Sequence, residues 1–168
     1  MKHLFSIIFI AASLALVAQE TEKSITQFRN IPWGAPKDSV YVDGKKIEFL
    51  KDKNALAPNT YYISNDDMTL GNVRLTRVSY IFNDENRFYK ALLEGPKEDA
   101  AQTAFILQYK FGPHKNESRV DGVNYKQWQV KDVTFTLGEY DRVKFELKIE
   151  SNWQATEAYK KNTSVDDF

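Results

Sequence analysis

Apolar and polar residues alternate with period two through the last third of the chain. Trp128 and Val130 alternate with Gln127, Gln129 and Lys131, and Val133, Phe135 and Leu137 alternate with Thr134 and Thr136. Val143, Phe145, Leu147 and Ile149 alternate in the same way with Lys144, Glu146, Lys148 and Glu150. This pattern predicts strands with one face buried and the other in water. Asp121-Gly122, set between Val120 and Val123, predicts a two-residue hairpin turn. A less regular strand-like region lies earlier. Tyr61-Tyr62-Ile63, Val73 to Phe82 and Arg87 to Glu94 are divided by Gly71-Asn72 and by Asn83-Asp84-Glu85-Asn86, and predict a three-stranded meander. Its middle strand is apolar on both sides, with Val73, Leu75 and Ile81 on one and Val78, Tyr80 and Phe82 on the other. Such a strand is central, covered by a loop, or part of an interface. Lys51 to Thr60, with Asn54, Pro58 and Asn59, reads as a loop and is the covering candidate.

Between the two strand regions the period changes. Ala100, Ala104, Leu107 and Phe111 recur at helical spacing, and Ala101 and Phe105 widen the stripe. Pro96 opens this helix, Glu98 and Asp99 suit its first turn, and Gly112-Pro113 ends it. Upstream, Pro36 and Asp38 predict a shorter helix ending near Asp43-Gly44. The alternative there is a hairpin, with Val40–Val42 and Lys46–Phe49 around Asp43-Gly44. The helix is preferred narrowly. Trp153 to Lys161 reads as a terminal helix. The expected fold is α+β, a two-layer sandwich. An antiparallel sheet of two meanders carries helices packed on one face, in two αβββ-like repeats.

The first 18 residues stand apart. Lys2 and His3 precede an apolar run from Leu4 to Val17, and polar character begins at Gln19-Glu20. This reads as a secretory signal peptide cut after Ala18, since the run is short of the ~20 residues that a membrane span needs. The alternative is an uncleaved anchor. Residues 19–168 are expected to form a single α+β domain, with 19–27 and 164–168 flexible. The expected location is exported, periplasmic or secreted, with no membrane span in the mature chain.

Composition narrows the chemistry. The chain has no cysteine, two histidines, and 23 basic against 23 acidic residues. Thiol catalysis, disulfides and cysteine-ligated metals are excluded, and a balanced charge gives no footprint for nucleic acid. No cysteine follows the apolar run, so no lipid anchor is expected. His114 is the one imidazole outside the leader, and no G-x-S-x-G or H-E-x-x-H spacing accompanies it. It reads as an exposed loop residue. Asp66-Asp67, Asp84-Glu85, Glu98-Asp99 and Asp166-Asp167 are adjacent carboxylates. A polar stretch, a hairpin turn, a helix start and a tail account for them in that order, and none has calcium-loop spacing. Asn116-Glu117-Ser118 and Asn162-Thr163-Ser164 fit the glycosylation sequon, a pattern common by chance. No phosphate-binding glycine loop is present. No cofactor and no metal are expected.

Phe28-x-x-Ile31-x-Trp33-Gly34 with Val40, Tyr80-x-Phe82-Asn83-Asp84, and Tyr109-Lys110-Phe111-Gly112-Pro113 form a further pattern. It resembles small exported bacterial proteins of uncharacterised function with helix-plus-meander repeats. It is loosely similar to the small lipoprotein of the outer-membrane assembly machine and to the β-lactamase-inhibitor proteins. The resemblance covers roughly Phe28 to Ile149 and implies a fold that binds macromolecules by its surface. It carries over no catalytic residues. The missing lipidated cysteine departs from the assembly lipoprotein.

The wet face of the second meander supplies the candidate site. Tyr125, Gln127, Gln129, Thr134 and Thr136 form its less charged part, a composition suited to a protein partner. Two functions follow as expectations. The first is a non-catalytic exported binding or assembly module that contacts a protein or envelope component through its sheet face or loops. The second is a small carboxylate-dependent hydrolase of a cell-envelope or glycan substrate.

Overall fold

The structure is a computed structural model that describes residues 25–140 and 143–153. The expected leader, the terminal helix beyond Trp153 and the loose end at 164–168 lie outside the described residues.

Gln27–Phe28 (β1) and Ile31–Pro32 (β2) form a small hairpin. A 3-10 turn at Lys37–Ser39 leads to a second, Tyr41–Val42 (β3) with Lys45–Lys46 (β4). Leu50–Lys51 (β5) and Thr60–Tyr62 (β6) precede a third, Thr69–Leu70 (β7) with Val73–Arg74 (β8). Arg77–Phe82 (β9), Phe88–Pro96 (β10) and the helix Ala100–Phe111 (α1) follow. The chain continues through Asn116–Val120 (β11), Val123–Val130 (β12), Val133–Glu139 (β13) and Lys144–Ser151 (β14). The described chain is mostly antiparallel β with one α-helix, an α+β class.

Eight strands form one antiparallel sheet in the order β11-β12-β13-β14-β10-β9-β6-β5. The two expected meanders therefore share a sheet, joined where β14 lies against β10 from Lys90↔Glu150 to Pro96↔Lys144. Helix α1 is the crossover. It carries the chain from the central strand β10 to the edge strand β11, from which three hairpin connections return it to β10.

Register explains the core. Trp128 lies opposite Phe135, Phe135 opposite Ile149, Ile149 opposite Ala91, and Ala91 opposite Tyr80. All five are buried, so an apolar row crosses five strands on one face. Helix α1 lays Leu107 and Phe111 over this face, with the rings of Phe111 and Phe135 4.6 Å apart. The Trp128 indole N–H donates to the Gly112 carbonyl at 3.0 Å and ties the helix end to the sheet. Toward the other end, Trp33 stacks on Phe88 at 4.8 Å, and Phe49 meets both Tyr80 and Phe82 edge-on.

Several expectations need correction. The chain after Pro36 is not an α-helix but the 3-10 turn and the β3–β4 hairpin. Asp43 and Gly44 both adopt positive φ, the conformation of a two-residue hairpin turn, and this leaves Val40 buried and Tyr41 exposed. Of the expected pair of repeats, only the second has its helix among the described residues. The α1 stripe is narrower than expected. Phe105 is 62% exposed and Ala101 is also exposed, while Thr103 is fully buried with its hydroxyl donating to the Asp99 carbonyl at 2.9 Å.

The two-sided strand resolves differently as well. Val73 and Leu75 precede β9 and join Val78, Tyr80 and Phe82 in the same core, while Ser79 and Ile81 are buried on the opposite face of β9. Val143 lies before β14 and is 78% exposed, so it drops out of the alternating set.

Candidate functional site

The face opposite the core row begins at the β12–β13 pair. Gln127 is opposite Thr136, Gln129 opposite Thr134, and Tyr125 opposite Gly138. Because side chains alternate across a strand, Tyr125, Gln127, Gln129, Thr134 and Thr136 share one face, opposite that of Trp128 and Phe135. The structure brings all five sequence-selected residues together, each half-buried.

Their polar atoms are held by one another and by neighbours. The Thr134 hydroxyl donates to Oε1 of Gln129 at 2.6 Å, and the Gln129 amide donates to the Lys131 carbonyl. From the neighbouring strand, Nδ2 of Asn116 donates to Oε1 of Gln127 at 3.1 Å. At the far end Gly138 makes room for two rings. A Cβ there would lie 3.0 Å from Tyr125 and 3.3 Å from Tyr140. Burial, then the hydrogen bond with Tyr125 and the nearby Glu146 charge, push the Tyr140 hydroxyl well above its ordinary range. It stays a neutral phenol at physiological pH.

Across the sheet this neutral patch passes into a charged strip. The rows run Thr134, Glu150, Lys90 and Thr136, Lys148, Leu92, with Gly138, Glu146, Glu94, Arg77 beside them. Lys144 Nζ pairs with Glu94 and lies 3.6 Å from Glu146, and Lys90 lies 3.3 Å from Glu150. The cross-strand pairs Lys144–Glu94 and Lys90–Glu150, with Lys144–Glu146 along β14, order the strip and leave the five-residue patch as its uncharged border.

His114, Asp66 and Asp67 each have partners within the fold. His114 sits in the loop after α1 but is only half exposed. Its ring meets Trp128 edge-on at 5.7 Å, and its Nε2 lies 3.4 Å from Glu117. Asp66 accepts from Arg29 at 2.6 Å and from the Tyr80 hydroxyl at 2.8 Å, so both of its oxygens are engaged. Asp67 accepts from the Thr69 hydroxyl at 2.7 Å, and its carbonyl accepts from Arg29. Among the described residues no group of three or more acidic or histidine side chains could hold a metal ion.

Sequence reasoning missed two features. Arg29 fastens the β1–β2 hairpin to the segment before β7 through Asp66 and the Asp67 carbonyl, and to β7 itself through the Thr69 carbonyl. Its positive φ, shared with Asn30, marks the turn that aims it there. A cleft of about 320 Å³ also opens between α1 and the β1–β2 and β7–β8 hairpins, with Phe28, Trp33, Leu70, Ile106 and Phe111 in its walls and Arg29 and Lys110 among its lining. The turn-plus-aromatic run Phe28 to Trp33 is the one sequence signal that could have pointed to it.

No protein family, curated protein or solved structure matches the chain.

Proposed function

We propose that this protein is a non-catalytic exported binding or assembly module that contacts a protein or envelope component through the β12–β13 face of its sheet. The observation that carries this reading is the patch of Tyr125, Gln127, Gln129, Thr134 and Thr136. It is uncharged, tyrosine-bearing and set by internal hydrogen bonds on a sheet face. Partner-binding surfaces are depleted in charge and enriched in tyrosine, and side chains already fixed lose less freedom on binding. The architecture is read as two layers, with α1 and the small hairpins over the core face. That leaves the patch face for a partner. Export rests on the apolar leader at residues 4–17. The resemblance to exported helix-plus-meander proteins that bind by their surface favours the same reading.

A crosslinking pull-down from the exported fraction tests it, with the recovered partner then titrated against purified protein. The expected result is a specific partner whose binding weakens at least tenfold in Tyr125→Ala/Gln127→Ala. Recovery of no specific partner, together with hydrolysis of a cell-wall or glycan substrate by the purified protein, overturns it.

A further inference from the structure

Strand β11 ends the sheet, and no strand among the described residues lies beyond it. All five of its residues are exposed. It pairs with β12 in unbroken register from Asn116↔Gln127 to Val120↔Val123, without a bulge. A regular, exposed edge of this kind is a template for another strand.

The hairpin turn fixes which backbone groups the edge offers. Asp121-Gly122 is a two-residue turn with both φ positive, so Val120 and Val123 form its hydrogen-bonded closing pair. By alternation Ser118 is turned toward β12, while Glu117 and Arg119 direct their N–H and C=O away from it. An antiparallel strand beyond β11 would bond to those two residues.

Glu117 and Arg119 lie in β11 on either side of Ser118, with Lys115 just before the strand, its N–H bonded to the Gln127 carbonyl, and Asp121 in the turn after it. Reversing the segment about Ser118 exchanges each charge for its opposite. We propose that β11 is a self-association edge that pairs antiparallel with β11 of a second copy about a two-fold axis at Ser118. Glu117 then faces Arg119 of the second copy in a hydrogen-bonded pair, twice by symmetry. Parallel in-register pairing would set like charge against like at every one of these positions. Such an interface is isologous, and the sheets of the two copies become continuous. Its five-residue strand contributes less surface than a standard interface, so the dimer is weak and in exchange with monomer. This inference stands apart from the sheet-face reading, since neither the patch nor its partner enters it.

Sedimentation equilibrium from about 10 μM to about 1 mM in low salt tests it, with charge-reversal variants. The wild type is expected to dimerise reversibly, and added salt to weaken the dimer. Glu117→Arg and Arg119→Glu, each setting like charges opposite, are each expected to weaken it about tenfold or more. The double variant Glu117→Arg/Arg119→Glu restores opposite pairs and is expected to recover the dimer. A strictly monomeric wild type at 1 mM overturns the proposal. So does a dimer untouched by the single reversals, and so does a folded double variant that fails to recover association.

Discussion

The Tyr80 hydroxyl donates a 2.8 Å hydrogen bond to Oδ2 of Asp66, whose other oxygen accepts from Arg29 at 2.6 Å. Tyr80 lies in β9 beneath the core, Asp66 lies in the segment before β7, and Arg29 lies in the β1–β2 turn. One carboxylate thus joins three separated pieces of chain. Burial, then the Asp66 charge, push the Tyr80 hydroxyl far above its ordinary range, so it remains a donor at any physiological pH. Tyr80→Phe is expected to cost about 1–2 kcal/mol and Arg29→Ala about 2–3 kcal/mol, since each leaves a largely buried carboxylate short of a partner. Urea unfolding of the two single variants and the double variant measures this. A double-variant loss smaller than the sum is expected, because both act on Asp66.

Gly95 faces Phe145 across the β10–β14 ladder, and a Cβ at Gly95 would come within 2.4 Å of that ring. Phe145 is fully buried, and the Arg74 carbonyl closes the space from another side at 3.2 Å. Gly95→Ala is therefore expected to cost about 2 kcal/mol or more, read as a lower urea midpoint, although alanine suits a strand better than glycine.

Ser79 gives the opposite expectation. It is 1% exposed and its hydroxyl has no hydrogen-bond partner. Ser79→Ala removes a buried group that gains nothing, so thermal unfolding is expected to show a neutral or slightly stabilising change, within about 1 kcal/mol.

Asp52 supplies a pH dependence. Its modest burial works to raise its pKa. The backbone N–H groups of Asn54 and Ala55 and the Arg77 guanidinium outweigh that and hold it below the ordinary 3.8. A carboxylate depressed in the folded state stabilises fully above its unfolded pKa, and that stability fades as pH falls through the lower folded value. Asp52→Asn is expected to be less stable than wild type at neutral pH. The difference should narrow as pH falls below about 4, as denaturant titrations across pH will measure.

Legibility in the sequence followed how local the determinants are. The β12–β13–β14 face is set by strict alternation, so Tyr125, Gln127, Gln129, Thr134 and Thr136 could be placed on one face from the pattern alone, and the Asp121-Gly122 turn fixes the register of β11 on β12. Helix α1 was legible at its C-terminal end, where Gly112 takes positive φ, whereas Pro96 ends β10 and opens a 3-10 turn at Lys97–Asp99, so that α1 begins only at Ala100. Its buried stripe was not, because Thr103 and Phe105 depend on where the helix meets the sheet. The Pro36 region failed for a related reason. Proline and aspartate fit both a helix start and a turn, and the burial of Val40 in a core built by distant strands decides between them. The hub at Asp66 draws on residues 37 and 14 positions away, a separation that no local pattern encodes.

The central claim is that the β12–β13 face is the contact surface, and position-resolved photo-crosslinking measures it most directly. A crosslinking side chain is placed at Thr136 or Gln127 on the patch, and at Tyr109, 87% exposed on α1, as the control. After irradiation in the intact exporting cell, the account predicts one discrete partner adduct at Thr136 and Gln127, none at Tyr109, and loss of the Thr136 adduct when Gln127→Lys is added. Adducts at Tyr109 with none at either patch position would contradict it.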